Sequence, residues 1–262
     1  MTSISIDHLK SIKASGNKFA AITAYDYSFA KLIDKAEIEV TLVGDSLGNV
    51  IQGQKTTIPV TLDEMAYHTK NVARGIQSSL VLSDMPFMSY ATVSQALVNA
   101  AILMQAGAQM VKLEGGEWLA ETVYALTQRG IPVCSHLGLT PQSVHKLSGF
   151  KVQGKDENGA DKILAEAKIL EQAGADLLVV ECIPSSLGKE LTSALEIPVI
   201  GIGAGADTDG QVLVLQDMLG ISYSAPKFSK NFLEQSSNIQ NALSTYRKEV
   251  LSRAFPEPKH EF

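Results

Sequence analysis

The chain has 262 residues, of which 45% are hydrophobic and 9 are proline, so it can build a sizeable core and is patterned unlike a disordered or fibrous protein. At about 150 residues per domain, that length permits two small domains or one large α/β barrel. A formal charge of -6, with basic residues scattered instead of gathered in a stripe, argues against nucleic acid as a partner. No run approaches the ~18 apolar residues of a membrane span, and MTSISIDHLKSIK lacks the apolar core of a secretory signal, so a cytoplasmic protein with no membrane partner is the expectation.

Eight short apolar runs follow in chain order: FAAIT from Phe19, VTLVG from Val40, LVLSD from Leu80, MVKLE from Met110, IPVCSH from Ile131, LLVVE from Leu177, IPVIGIG from Ile197 and VLVL from Val212. They do not alternate cleanly between apolar and polar, which fits parallel strands covered by helices. Thr61 is a predicted N-cap with Glu64 at capping-box spacing, Thr92 and Gln95 repeat that spacing, and a third helix is predicted from EWLAETVYALTQRG. Gly107 and Gly130 stand where helices stop. QAGAQMVKLE from Gln105 and QAGADLLVVE from Gln172 echo one another as helix end, turn and strand. Eight such units across residues 1–262 predict an α/β protein built as one closed (β/α)8 TIM barrel, with a short N-terminal and a helical C-terminal extension. Residues 138–159 read as a long loop, either on the active face or a tolerated surface insertion. The segment from Ser229 to Phe255 reads as helical with a break at Ser236, Ser237 and Asn238. Cys134 and Cys182 lie in apolar segments without zinc or disulfide spacing and read as small buried hydrophobes.

Barrel chemistry collects at the C-terminal ends of strands. Those ends carry Asp45 and Ser46, Asp84, Lys112 and Glu114, His136, and Glu181. Each residue has two readings. Asp45 and Asp84 are either local turn caps or oxygen ligands for a hard cation such as Mg²⁺. His136 is a satisfied core histidine or a substrate contact. Lys112 is a snorkelling side chain or a buried ammonium needing an anion. Glu114 pairs with Lys112 or holds metal-bound water, and Glu181 caps a turn or acts as a partly desolvated proton acceptor. GIGAGADTDG from Gly201 matches neither a Walker loop nor a full dinucleotide fingerprint. It brings N–H groups to an anion or lets barrel loops pack tightly.

AITAYDY at Ala21, LVGDSLG at Leu42, AYHT at Ala66, DMPFMSY at Asp84, GAQMVKLEGG at Gly107, IPVCSHLGLTPQSV at Ile131, VVECIP at Val179, IPVIGIGAG at Ile197 and TDGQVLVLQDMLG at Thr208, with PKF at Pro226, resemble the characteristic segments of the ketopantoate hydroxymethyltransferase family. The resemblance implies a barrel of the phosphoenolpyruvate/pyruvate-like group. It also implies transfer of a hydroxymethyl group from 5,10-methylenetetrahydrofolate to 3-methyl-2-oxobutanoate in pantothenate biosynthesis, through Mg²⁺-assisted enolate formation. By the same resemblance Asp45 and Asp84 bind one Mg²⁺ per subunit and, with it, the substrate, Glu114 is a metal-associated carboxylate, and Ser46, Lys112 and His136 contact the 2-oxo acid. Glu181 is the catalytic base, a cytoplasmic homodecamer is the assembly, and the residues that contact the folate are not assigned. Residues Asn49 to Gln52 and His145 to Ser148 depart modestly from the family pattern. Two other functions compete: a phosphoenolpyruvate mutase or isocitrate-lyase-like enzyme, against which the lack of a cysteine-containing catalytic loop weighs, and a noncatalytic carboxylate-binding protein.

Overall fold

Each of the eight apolar runs overlaps a strand in the computed structural model, which describes residues 3–262, although the last strand lies two residues earlier than the VLVL run and leaves Val214 and Leu215 outside it. They are β1 Phe19–Thr23, β2 Val40–Val43, β3 Leu80–Asp84, β4 Met110–Glu114, β5 Val133–Gly138, β6 Leu177–Glu181, β7 Val199–Ile202 and β8 Gly210–Leu213. Each pairs in parallel with the next, and β1 closes the ring on β8 with Phe19 opposite Gly210 and Ala21 opposite Val212. Closure leaves no sheet edge exposed. β5 and β7 start two residues inside their apolar runs because Pro132 and Pro198 have no N–H to give a ladder. Their carbonyls still accept, from Val111 and Leu178.

The helices among the described residues are α1 Ile6–Ala14, α2 Tyr27–Lys35, α3 Leu47–Val50, α4 Leu62–Gly75, α5 Val93–Gln105, α6 Ala120–Thr127, α7 Glu157–Gln172, α8 Ser185–Ala194, α9 Leu215–Met218 and α10 Ile239–Leu251. α4 opens with a full capping box, in which Thr61 Oγ1 accepts from Glu64 N and Glu64 Oε2 accepts from Thr61 N. At α5 Thr92 caps Gln95 N, and the return bond from Gln95 is not made. Gly107 and Gly130 end their helices at positive φ, 112° and 75°. Of the expected loop, Gly138 ends β5 and Pro141–Ser143 forms one 3-10 turn, and the loop stops at Asp156, whose carboxylate accepts from Gly159 N and starts α7 earlier than the turn-rich composition indicated. The C-terminal region is helical only after its serine-rich break, where Asn238 caps α10. No helix among the described residues is long and apolar enough to cross a membrane.

One unit departs from the eightfold βα expectation. β7 and β8 are joined by residues 203–209 without a helix, a strap that at ~3.3 Å per residue can span about 23 Å. It has to lie close against the barrel, and glycine makes room. Gly203 and Gly205 sit at φ of 60° and 84°, and α8 brings Gly188 onto the Ala204 carbonyl with no space for a Cβ. A Cβ on Gly201 would lie 2.6 Å from Thr208 Oγ1. The glycine-rich segment therefore serves tight packing. α10 covers the β1–β8 seam, with the buried Tyr246 hydroxyl donating toward Ala21 O and Gln211 O.

Candidate active site

The parallel ladder sets the neighbours at the C-terminal mouth. Asp84 on β3 lies opposite Lys112 on β4, Glu114 on β4 opposite His136 on β5, and Gly138 on β5 opposite Glu181 on β6. Asp45 and Ser46 stand in the turn just beyond β2. All seven residues singled out from the sequence line one cavity of about 360 Å³, with apolar walls that include Leu42, Leu139, Val179 and Val212.

Neither aspartate caps a local turn. Asp84 Oδ2 accepts from Asp45 N at 2.9 Å, and Asp45 Oδ2 accepts from Gln142 Nε2 at 2.9 Å, from a loop far along the chain. Lys112 is buried instead of snorkelling, with Nζ 2.8 Å from Asp84 Oδ1, 3.5 Å from Glu114 Oε1 and 3.3 Å from His136 Nδ1. His136 bridges two carboxylates, its Nδ1 lying 3.2 Å from Glu114 Oε1 and its Nε2 3.4 Å from Glu181 Oε2. Glu114 is engaged at both oxygens, the second accepting from Gln142 N at 3.0 Å. Ser46 Oγ is 2.9 Å from Tyr25 Oη. Glu181 is more open than the other charged residues of the cluster, with its side chain 14% exposed.

Burial, followed by the charges of Asp84 and Glu114, pushes the Asp45 carboxyl well above the usual range. Burial also raises Asp84, against the pull of Lys112. Glu114 goes the other way: burial opposes its charge, but Lys112 and His136 outweigh it and hold the carboxyl low. Burial and Lys112 disfavour the imidazolium of His136, yet Glu114 and Glu181 prevail and raise it to about 9. The carboxylates hold Lys112 well above its ordinary value despite complete burial. Four carboxyl groups thus face Lys112 and His136, and a divalent ion between Asp45 and Asp84 would favour the ionised form that burial disfavours.

Asp45 and Asp84 fit a hard cation, since Asp45 Oδ1 takes no hydrogen bond from any described residue, Asp84 Oδ1 is buried beside the Lys112 ammonium without a hydrogen bond, and Mg²⁺ binds through as few as one or two carboxylates. The expected trio of Asp45, Asp84 and Glu114 does not form a ready three-ligand group among the described residues. Glu114 spends its oxygens on His136, Lys112 and Gln142. Sequence reasoning passed over Gln142, which also donates to Met85 O and accepts from Tyr90 Oη, and Tyr25, which holds Ser46. Tyr25 stands two residues beyond the end of β1, as Asp45 does beyond β2, and that shared offset was a usable signal. Gln142 carried none, being one amide in a turn-rich loop. The thiols of Cys134 and Cys182 are buried and free, and burial raises both, Cys134 to about 12.

Fold and site together define a (β/α)8 barrel with a buried acid–base cluster at its C-terminal mouth. Similar barrels include phosphonopyruvate hydrolase (TM-score 0.64, 14% identity, 84% of this chain and 84% of that one). Another is 2,3-dimethylmalate lyase, a PEP mutase/isocitrate lyase superfamily member (TM-score 0.60, 16% identity, 81% of each chain). The chain belongs to the ketopantoate hydroxymethyltransferase family, whose profile matches residues 3–258. Relatives named 3-methyl-2-oxobutanoate hydroxymethyltransferase match over the full length of both chains, at 60% identity in Shewanella halifaxensis and 57% in Alteromonas mediterranea.

Proposed function

We propose that the mouth cluster carries out the reaction for which the relatives are named, hydroxymethyl transfer to 3-methyl-2-oxobutanoate, with 5,10-methylenetetrahydrofolate as donor and 2-dehydropantoate and tetrahydrofolate as products. The chain is an enzyme of pantothenate biosynthesis. Asp45 and Asp84 are the residues that would hold one Mg²⁺ per subunit. When bound, the ion would supply Lewis-acid withdrawal of electron density from the 2-oxo acid. Glu114 holds His136 and Gln142 in place from behind.

Glu181 takes the proton from carbon 3 onto a carboxylate oxygen. His136 Nε2, 3.4 Å from Glu181 Oε2, holds that carboxylate toward the cavity. Lys112 Nζ offsets negative charge developing on substrate oxygen, and Ser46 Oγ, held by Tyr25, orients the substrate. The apolar walls keep water from the reactive carbon. Carbon 3 then attacks the folate-borne methylene, forming a carbon–carbon bond as one methylene–nitrogen bond breaks, and water displaces the remaining folate nitrogen to supply the hydroxyl of 2-dehydropantoate and release tetrahydrofolate. The observation that carries this reading is the set of charged strand ends on one cavity with an excess of carboxylate.

The family resemblance extends to a homodecamer in the cytoplasm. Exposed Tyr67, Val98, Trp118 and Tyr124 on α4, α5 and α6 and beside α6 offer apolar surface for such an assembly. Exchange of the carbon-3 proton with deuterium should require Mg²⁺ but no folate, and product formation should require both. A protein that merely binds carboxylates would do neither.

A further inference from the structure

The catalytic cavity, at about 360 Å³, suits a small 2-oxo acid, and a second cavity of about 840 Å³ adjoins it. The two share Ser46, Asn49, Phe150, Val214, Asp217 and Pro226 as walls. Together they form a groove of the size that holds a cofactor-sized ligand.

The inner wall carries two buried polar groups that the catalytic chemistry leaves unused. Asp217 is 7% exposed and forms no ion pair among the described residues, with the Ser222 hydroxyl as its polar neighbour. Burial raises its carboxyl, opposed by Ser222. Beside it the Gln216 Oε1 atom is buried without a hydrogen-bond partner. Buried acceptors of this kind call for a donor. A pterin ring presents adjacent donors, its N3–H and 2-amino group, that match the two oxygens of a carboxylate. Phe150, 64% exposed, stands at the seam between the cavities as a stacking surface, and Lys55 lies exposed on the outer wall, where glutamate carboxylates of a folate tail would emerge.

We infer that the reduced folate occupies this groove, with the amino edge of its pterin paired to Asp217, its ring against Phe150 and its glutamate tail toward Lys55. The inference rests on the proposed hydroxymethyl transfer and names the site of its donor.

The test uses the full chain with Mg²⁺, measuring KM for 5,10-methylenetetrahydrofolate and for the 2-oxo acid, together with folate-independent deuterium exchange at carbon 3. Asp217→Asn should raise the folate KM about tenfold or more, while the 2-oxo acid KM and exchange stay within about twofold. Phe150→Ala and Lys55→Ala, at exposed positions, should each raise the folate KM about threefold. A folate KM unchanged in Asp217→Asn overturns the inference. Should that chain fail to fold, an unchanged folate KM in both wall variants overturns it equally. Failure of the unaltered enzyme to exchange the proton or form product would instead overturn the proposed function.

Discussion

Gln142 ties together what the strand ends present. Its side chain donates to Asp45 and to Met85 O, and its backbone N–H donates to Glu114, so one loop residue fixes a carboxylate beyond β2 and another at the end of β4. Partners of this kind behind a metal site typically contribute 10–100-fold in affinity or activity. Gln142→Ala should therefore lower kcat/KM by about 10–100-fold and raise the Mg²⁺ concentration needed for half-maximal rate, because Asp45 loses its anchor. Steady-state rates across a Mg²⁺ titration check this, and an unchanged Mg²⁺ requirement would contradict it. The charged groups were legible in the sequence because a carboxylate or lysine ending an apolar strand has few other uses. Gln142 and Tyr25 were less so, since an amide or phenol in a turn has no distinctive cost of burial to betray it.

Each element was legible where its punctuation was local. The Thr61–Glu64 box and the Gly107 and Gly130 stops follow from backbone groups within a few residues, whereas β5 and β7, read from Ile131 and Ile197, start two residues later because Pro132 and Pro198 lack an N–H. The bare strap between β7 and β8 was not legible, because its reason is the close approach of α8 at Gly188, a tertiary fact. Asp34 near the end of α2 shows how such elements lock together. Its Oδ1 accepts from Ser78 N, Ser79 N and Ser78 Oγ at 2.8, 3.1 and 2.9 Å, fastening α2 to the start of β3. Burial works against its charge, but the N–H donors outweigh it and hold the carboxyl below its ordinary value. The linked stability is then fully present above the unfolded pKa of about 3.9 and lost as pH falls through the lower folded value. Asp34→Asn should cost about 1 kcal/mol between about pH 5 and 8, with the difference shrinking below about pH 4. Denaturant melts of both chains across that range test the sign, and a difference that grows in acid would contradict it.

At the scale of the whole molecule, the length that allowed two domains or one barrel is used by a single closed ring of eight strands, and the charge of -6 places a small part of its acid at the mouth. Apolar side chains exposed on and beside consecutive outer helices offer surface for self-association, and if the homodecamer proposed from the family resemblance holds, sedimentation should find ten copies of the 28.1 kDa chain. A monomer would contradict that part of the reading. The proposed transfer turns on removal of the carbon-3 proton by Glu181, set against His136 at the open side of the cluster. Glu181→Gln keeps the shape and removes the base. At saturating Mg²⁺ and without folate, deuterium exchange into 3-methyl-2-oxobutanoate should fall by about a hundredfold or more, whereas exchange at the unaltered rate would show that another group takes the proton.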